Sequence, residues 1–282
     1  MNINRTFLVL VVGMRVYVSA CGDVIAECTK ESLKERWRPL SVVHPADPMQ
    51  ARVLSAREMI AAIDSSCVPT LVQLLDSSEE PAGVKCGAAY TLGIIGIIND
   101  VSTAVPSLIK LIQSYEGKDL GPTEISLVYY AHIALGEIGT REAREFLFAR
   151  AKSDYWKTHA GYVSRTLGPE KLPGSIYSRG TAIQAIPFLV AVDSETFLKE
   201  LLNEPDFRNQ TDFHGADARE GDLGRSVNLA LKAIERERQF VNYLQTGNPV
   251  PDVILPVQVH KRVAPIAPPV PKVQPGGSIT PQ

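Results

Sequence analysis

The chain has 282 residues, of which 45% are hydrophobic and 21% charged. That excludes a wholly disordered chain, because this much apolar content over this length can bury a sizeable core. Lys and Arg number 29 against 31 Asp and Glu, so no global basic field recruits nucleic acid.

The first 20 residues read as an export signal. Arg5 precedes an apolar run, Phe7-Leu8-Val9-Leu10-Val11-Val12-Gly13-Met14, and small residues precede Cys21 in Val18-Ser19-Ala20-Cys21. Small residues there suit a signal peptidase. The tetrapeptide also resembles a bacterial lipobox, whose cysteine is lipidated after cleavage. Arg15 interrupts the pattern, and the unbroken run is shorter than the roughly 20 apolar residues of a membrane span. An ordinary apolar N-terminus, or a start at Met14, is the competing reading. The expectation is an exported protein of the bacterial envelope or periplasm, with Cys21 as the candidate lipidation site and membrane anchor.

Residues 21–48 form an entry segment, with one amphipathic helix expected near Thr29–Arg36. The four cysteines, Cys21, Cys28, Cys67 and Cys86, show no CxxC spacing and no histidine at zinc-site distance. Cys67 and Cys86 sit in apolar helical contexts and are expected as small core residues. In an oxidising compartment a Cys67–Cys86 or a Cys21–Cys28 disulfide is open.

A repeat runs through residues 49–247. Ala88-Ala89-Tyr90-Thr91-Leu92-Gly93-Ile94-Ile95-Gly96 and Ala131-His132-Ile133-Ala134-Leu135-Gly136-Glu137-Ile138-Gly139 both read A-x-x-x-L-G-x-I-G, and they lie 43 residues apart. Ala56–Asp64 keeps the apolar positions of the same pattern, Leu167-Gly168 marks a further copy, and Val227, Leu231 and Ile234 a degenerate last one. A second apolar segment follows each. Val68-Pro69-Thr70-Leu71-Val72-Gln73-Leu74-Leu75 matches Val105-Pro106-Ser107-Leu108-Ile109-Lys110-Leu111-Ile112 position by position. Apolar residues at i, i+3, i+4 and i+7 make each a one-faced helix, and the proline falls in the first turn, where its missing N–H costs nothing. Ala143-Arg144-Glu145-Phe146-Leu147 replaces that proline; Ile186-Pro187-Phe188-Leu189-Val190 keeps it and is expected to open a fourth second helix. Gly93 and Gly136 each cost about 1 kcal/mol in a helix against alanine, so they are expected where two helices approach closely, with Leu92 and Leu135 in the core.

The paired Ala…Leu-Gly-x-Ile-Gly and Val-Pro-x-Leu helices resemble HEAT repeats, and are most similar to the short subclass named after phycobilisome lyases. The resemblance is closest over residues 50–150 and weaker over 154–202 and 222–245. It implies an all-α fold, an α-solenoid of antiparallel helix pairs, with an extended concave face of the kind that binds proteins or peptides. No alternating strand pattern competes, apart from Val250–Val259, which Pro251 and Pro256 break. Residues 203–222 read as a polar insertion. Nine of the 20 prolines fall between Pro249 and Pro281, so residues 248–282 are expected to be an extended, disordered tail.

Catalytic and metal-site motifs are scarce within this frame. HEAT-like deoxyhypusine hydroxylases hold two irons with repeated His-Glu pairs, yet none of His44, His132, His159, His214 and His260 precedes a glutamate here. Bilin lyases of the same subclass handle a tetrapyrrole, a role that fits an export signal poorly. GxSxG, HExxH, Walker A and GxGxxG elements do not occur, and the acidic stretch Asp212–Asp222 lacks EF-hand spacing. No cofactor or metal is expected. One stretch concentrates aromatic residues: Asp154-Tyr155-Trp156-Lys157-Thr158-His159-Ala160-Gly161-Tyr162. With Tyr129, Tyr130 and His132 on the preceding first helix, Tyr155, Trp156 and His159 are the candidate binding residues, because aromatics rimmed by Lys and Arg anchor interfaces. Packing between repeats by Tyr155, Trp156 and Tyr162 is the plainer reading of the same residues. The expected function is a non-enzymatic interaction scaffold for a protein or peptide partner; the alternative is an enzyme or a lyase-like, cofactor-handling accessory protein on the same frame.

Overall fold

Two kinds of helix build the body, and their sequences say which is which. Val68–Asp76 and Val105–Gln113 carry their apolar residues on one side. Ala82–Gly96 and Pro122–Ile138 are apolar on nearly every side, which suits a helix surrounded by others. A computed structural model describes residues 28–37, 56, 59–60, 63, 65–164, 174–204 and 223–246. The signal, Cys21, Leu167-Gly168, most of the 203–222 insertion and residues 248–282 lie outside them.

Among the described residues the fold is all-α apart from one short strand pair. The helices are α1 (Lys30–Trp37), α2 (Val68–Asp76), α3 (Ala82–Gly96), α4 (Val105–Gln113), α5 (Pro122–Ile138), α6 (Arg141–Ala151), α7 (Ser153–Trp156), α8 (Gly174–Ala185), α9 (Val192–Leu201) and α10 (Leu223–Thr246). The helix expected near Thr29–Arg36 is α1. Strands β1 (Asp119–Leu120) and β2 (Val163–Ser164) pair in parallel, joining the loop before α5 to the loop before α8. No described helix is long and apolar enough to cross a membrane.

The surrounded helices pack on one another. α3 lies along α5, and α5 lies against α8 and the 3-10 turn Ile186–Leu189. Leu92 and Leu135 are fully buried, as their shared place in the repeat requires. The glycine that follows each sits at a crossing. A Cβ on Gly93 would lie 2.9 Å from the Cα of Ala134, and one on Gly136 would lie 2.5 Å from the carbonyl oxygen of Ala185. The one-faced helices form a second set, α2 packing on α4 and α4 on α6. Polar rungs join neighbours at its surface: Ser107 donates to Asp76 at 3.0 Å, and Arg144 pairs with Asp193 at 3.1 Å. Ala56, Met59 and Ile63 are buried with this core, consistent with the pattern read over Ala56–Asp64.

Three sequence readings are corrected. Ile186-Pro187 does not open a second helix. It forms the 3-10 turn ending α8, Val190 turns left-handed at φ 49°, and the helix starts only at Val192. A left-handed valine is strained, and this turn is what distinguishes Ile186-Pro187-Phe188-Leu189 from Val68-Pro69-Thr70-Leu71 and Val105-Pro106-Ser107-Leu108. A strand pair exists where none was expected. The disulfide is neither of the two left open: Cys28 is bonded to Cys67 across 39 residues, and Cys86 is a free, buried thiol. Burial pushes the Cys86 thiol up to about 12, so it stays protonated and inert at neutral pH.

Candidate functional site

The aromatic stretch after α6 is organised around a buried arginine. Thr140 caps α6 by accepting the Ala143 N–H at 3.2 Å, and Arg150 falls in the last turn, where a cation suits the helix dipole. Arg150 is 3% exposed. Its guanidinium lies 3.5 Å from the centre of the Phe146 ring and 4.4 Å from that of Tyr155. It pairs with Glu116, from the loop after α4, at 3.0 Å, and donates to the Tyr155 hydroxyl at 2.9 Å. The Tyr155 hydroxyl in turn donates to the two Glu116 carboxylate oxygens at 3.1 and 3.0 Å. Burial lowers the Arg150 pKa, while Tyr155 and Glu116 raise it; burial pushes the Tyr155 phenol up to about 12. The Tyr155 phenol is therefore neutral at neutral pH, and the Arg150, Glu116 and Tyr155 side chains are each bonded to the other two.

Trp156 and His159 complete the arrangement. The Trp156 indole N–H donates to the Arg150 carbonyl at 2.7 Å, occupying an acceptor that the helix end leaves open. The Trp156 ring meets Tyr155 edge-on, with centres 4.8 Å apart. His159 is exposed and stacks flat on Tyr155 at 3.9 Å and 10°. Its Nδ1 lies 2.9 Å from both the Tyr155 carbonyl oxygen and the Thr158 hydroxyl. The polar atoms of Tyr155 and Trp156 thus bond inward, and what reaches the surface is ring: half-buried Trp156, half-buried Tyr155 and exposed His159. Such a shelf suits docking by stacking better than proton transfer.

The six candidate residues do not form one surface. His132 is not at the surface at all, being 1% exposed. α5 is apolar all round, so its faces are indistinguishable in sequence, and this histidine turns into the core. Its Nδ1 bonds the Val128 carbonyl at 2.8 Å, and its ring lies 6.3 Å from that of Phe146. Burial holds its pKa at about 4, so it is neutral. It supports the arginine group from beneath through Phe146. Tyr129 and Tyr130 belong elsewhere: they meet edge-on at 5.6 Å, and Tyr130 meets Tyr90 of α3 edge-on at 5.5 Å. All three are half-buried. Tyr162 packs, as the plainer reading had it, with Leu120, Val128 and Tyr177.

Glu116 and Arg150 hold the candidate site together, and sequence reasoning missed both. They lie 34 positions apart, and a single arginine in the last turn of a helix looks like an ordinary dipole partner. A comparable tie recurs at Arg179, 3% exposed, which donates to the Ala151 carbonyl and pairs with Glu204 at 3.1 Å. The chain matches no protein-family model and no curated protein.

Proposed function

We propose that the chain is a non-enzymatic protein-interaction scaffold, built on a HEAT-like α-solenoid of helix pairs, exported to the cell envelope and anchored there through Cys21. The observation that carries the binding role is the aromatic shelf of Tyr155, Trp156 and His159. The polar atoms of Tyr155 and Trp156 are committed to Arg150 and Glu116, so the shelf presents flat rings, with the exposed His159 imidazole stacked on Tyr155, and its shape is fixed before a partner arrives. Fixed aromatic groups lose little conformational entropy on binding.

The repeat supports the frame. Gly93 and Gly136 stand 43 residues apart and each admits the next layer of helix. Repetition of one close contact is how helical pairs extend into a ribbon with an extended face. The Cys28–Cys67 bond supports the address, since structural disulfides form and persist in oxidising compartments. In this reading the proline-rich residues 248–282 are an arm that reaches toward the partner.

The test is quantitative affinity capture from envelope extract with the full chain and with His159→Glu, whose side chain is exposed. The reading expects a discrete protein whose recovery falls at least tenfold with the variant while the melt is unchanged. Recovery of every captured protein at the same level from both chains overturns it. The address is tested separately, by intact mass and membrane partitioning of the mature chain beside Cys21→Ser.

A further inference from the structure

Helix α1 is fastened to the body at its start. Cys28 is bonded to Cys67, the last residue of the 3-10 turn that leads into α2, with their Cα atoms 5.2 Å apart. The Thr70 hydroxyl donates to the Cys28 carbonyl at 2.9 Å. Thr29 then starts the helix, its side chain accepting the Ser32 N–H at 3.2 Å. α1 packs on both α2 and α3, and among its described side chains only Leu33 is buried. Eight residues that include Lys30, Glu31, Lys34, Glu35 and Arg36 do not hold a helix in water by themselves. Its order therefore depends on the body, through Leu33 and the bond at Cys28.

The two cysteines differ in exposure. Cys67 is 1% exposed, whereas Cys28 is half-buried at the rim. A thiolate arriving from solvent meets Cys28 first.

We propose that α1 is a redox-released cap: opening of the Cys28–Cys67 bond by a dithiol–disulfide oxidoreductase frees Lys30–Trp37 and uncovers the apolar edge of α2 and α3. The reductant's thiolate attacks Cys28 Sγ; a mixed disulfide forms there, and the Cys67 sulfur leaves as a thiolate and takes a proton. The reductant's second thiol then attacks its own sulfur in the mixed disulfide, releasing the Cys28 thiolate, which is protonated. Two electrons pass to the protein, and the reductant ends as a disulfide. The cap is independent of the scaffold reading, because it rests on the bond, the burial of Leu33 and the shortness of α1.

Hydrogen–deuterium exchange of the full chain, before and after dithiothreitol and in Cys28→Ala/Cys67→Ala, tests this. Amides of residues 30–37 should exchange at least tenfold faster once the bond is gone, while those of α5 keep their protection. Incubation with glutathione should place the mixed disulfide on Cys28. Unchanged protection over 30–37, an equal loss across α5, or an adduct on Cys67 would each overturn the proposal.

Discussion

Gly93 of α3 faces Ala134 of α5 with no room for a side chain: an added Cβ would stand 2.9 Å from the Ala134 Cα and 3.2 Å from its Cβ. Gly136 repeats the relationship against the Ala185 carbonyl, at 2.5 Å, and the Phe188 Cβ, at 2.8 Å. Backbone cannot retreat as a flexible side chain can. Helix propensity favours alanine over glycine by about 1 kcal/mol, yet the close approach should reverse that sign. Gly136→Ala is expected to destabilise by about 1–3 kcal/mol, the usual range for overpacking. Gly83 is the control, because nothing lies within 4 Å of its added Cβ; Gly83→Ala should leave stability unchanged or raise it by up to about 1 kcal/mol. Urea melts of the two variants check the pair. Equal effects at both glycines would mean that the crossing does not constrain Gly136.

His132 gives the body a titratable core. Its pKa is about 4 when folded and 6.5 in its ordinary state, and burial is the main cause. The unfolded chain therefore binds the extra proton first as pH falls. The stability that comes from keeping this ring neutral is fully present above about pH 6.5 and drains away down to about pH 4. The difference is worth on the order of 3 kcal/mol. His132→Gln should flatten the pH dependence of the melting temperature across that window. A wild-type slope that persists in the variant would place the acid sensitivity on other groups.

Much of the frame was legible in sequence, and the reasons are local. Val68-Pro69 and Val105-Pro106 announce one-faced helices because the periodicity and the first-turn proline are both contained in eight residues. Leu92, Leu135 and their glycines were legible because the repeat aligns them. Three features depended on groups distant in the chain or on the local backbone, and these escaped. Cys28 meets Cys67 across 39 residues of chain. Ile186-Pro187 resembles Val68-Pro69 and Val105-Pro106 in sequence, but left-handed Val190 ends the turn. The aromatic cluster was visible as composition; its centre, Arg150 with Glu116, was not, because opposite charges 34 positions apart carry no mutual signal. His132 was misplaced because a helix apolar on every side offers no polar face against which to orient it.

Trp156 separates fold from binding less cleanly than its exposure suggests, because its indole is bonded to the Arg150 carbonyl. Trp156→Phe keeps a ring beside Tyr155 and deletes that bond. The expected loss is about 1 kcal/mol, the net worth of one hydrogen bond, while Trp156→Ala adds the loss of packing and should cost about 3 kcal/mol. Thermal melts order the three chains. A Phe variant as damaged as the Ala variant would show that the bond, rather than the ring, holds α7 in place.

The Arg150–Glu116 pair makes the sharpest energetic prediction. Its side chains are 4% and 14% exposed, so water screens the pair little. Removing one partner leaves the other charge buried, which costs about 3–5 kcal/mol. Arg150→Met and Glu116→Leu should each fall in that range. The double variant should lose far less than the sum, because two apolar groups replace two charges and no orphan charge remains. Its coupling energy is read from a double-mutant cycle, with the Tyr155 hydroxyl still in place as a shared neighbour. Tyr155→Phe in the same background distinguishes a pair from a triad. If the phenol strengthens the pair, the measured coupling should shrink when its hydroxyl is gone. Additive single losses in the melts would sink the buried pair, since independent effects mean that neither charge relies on the other.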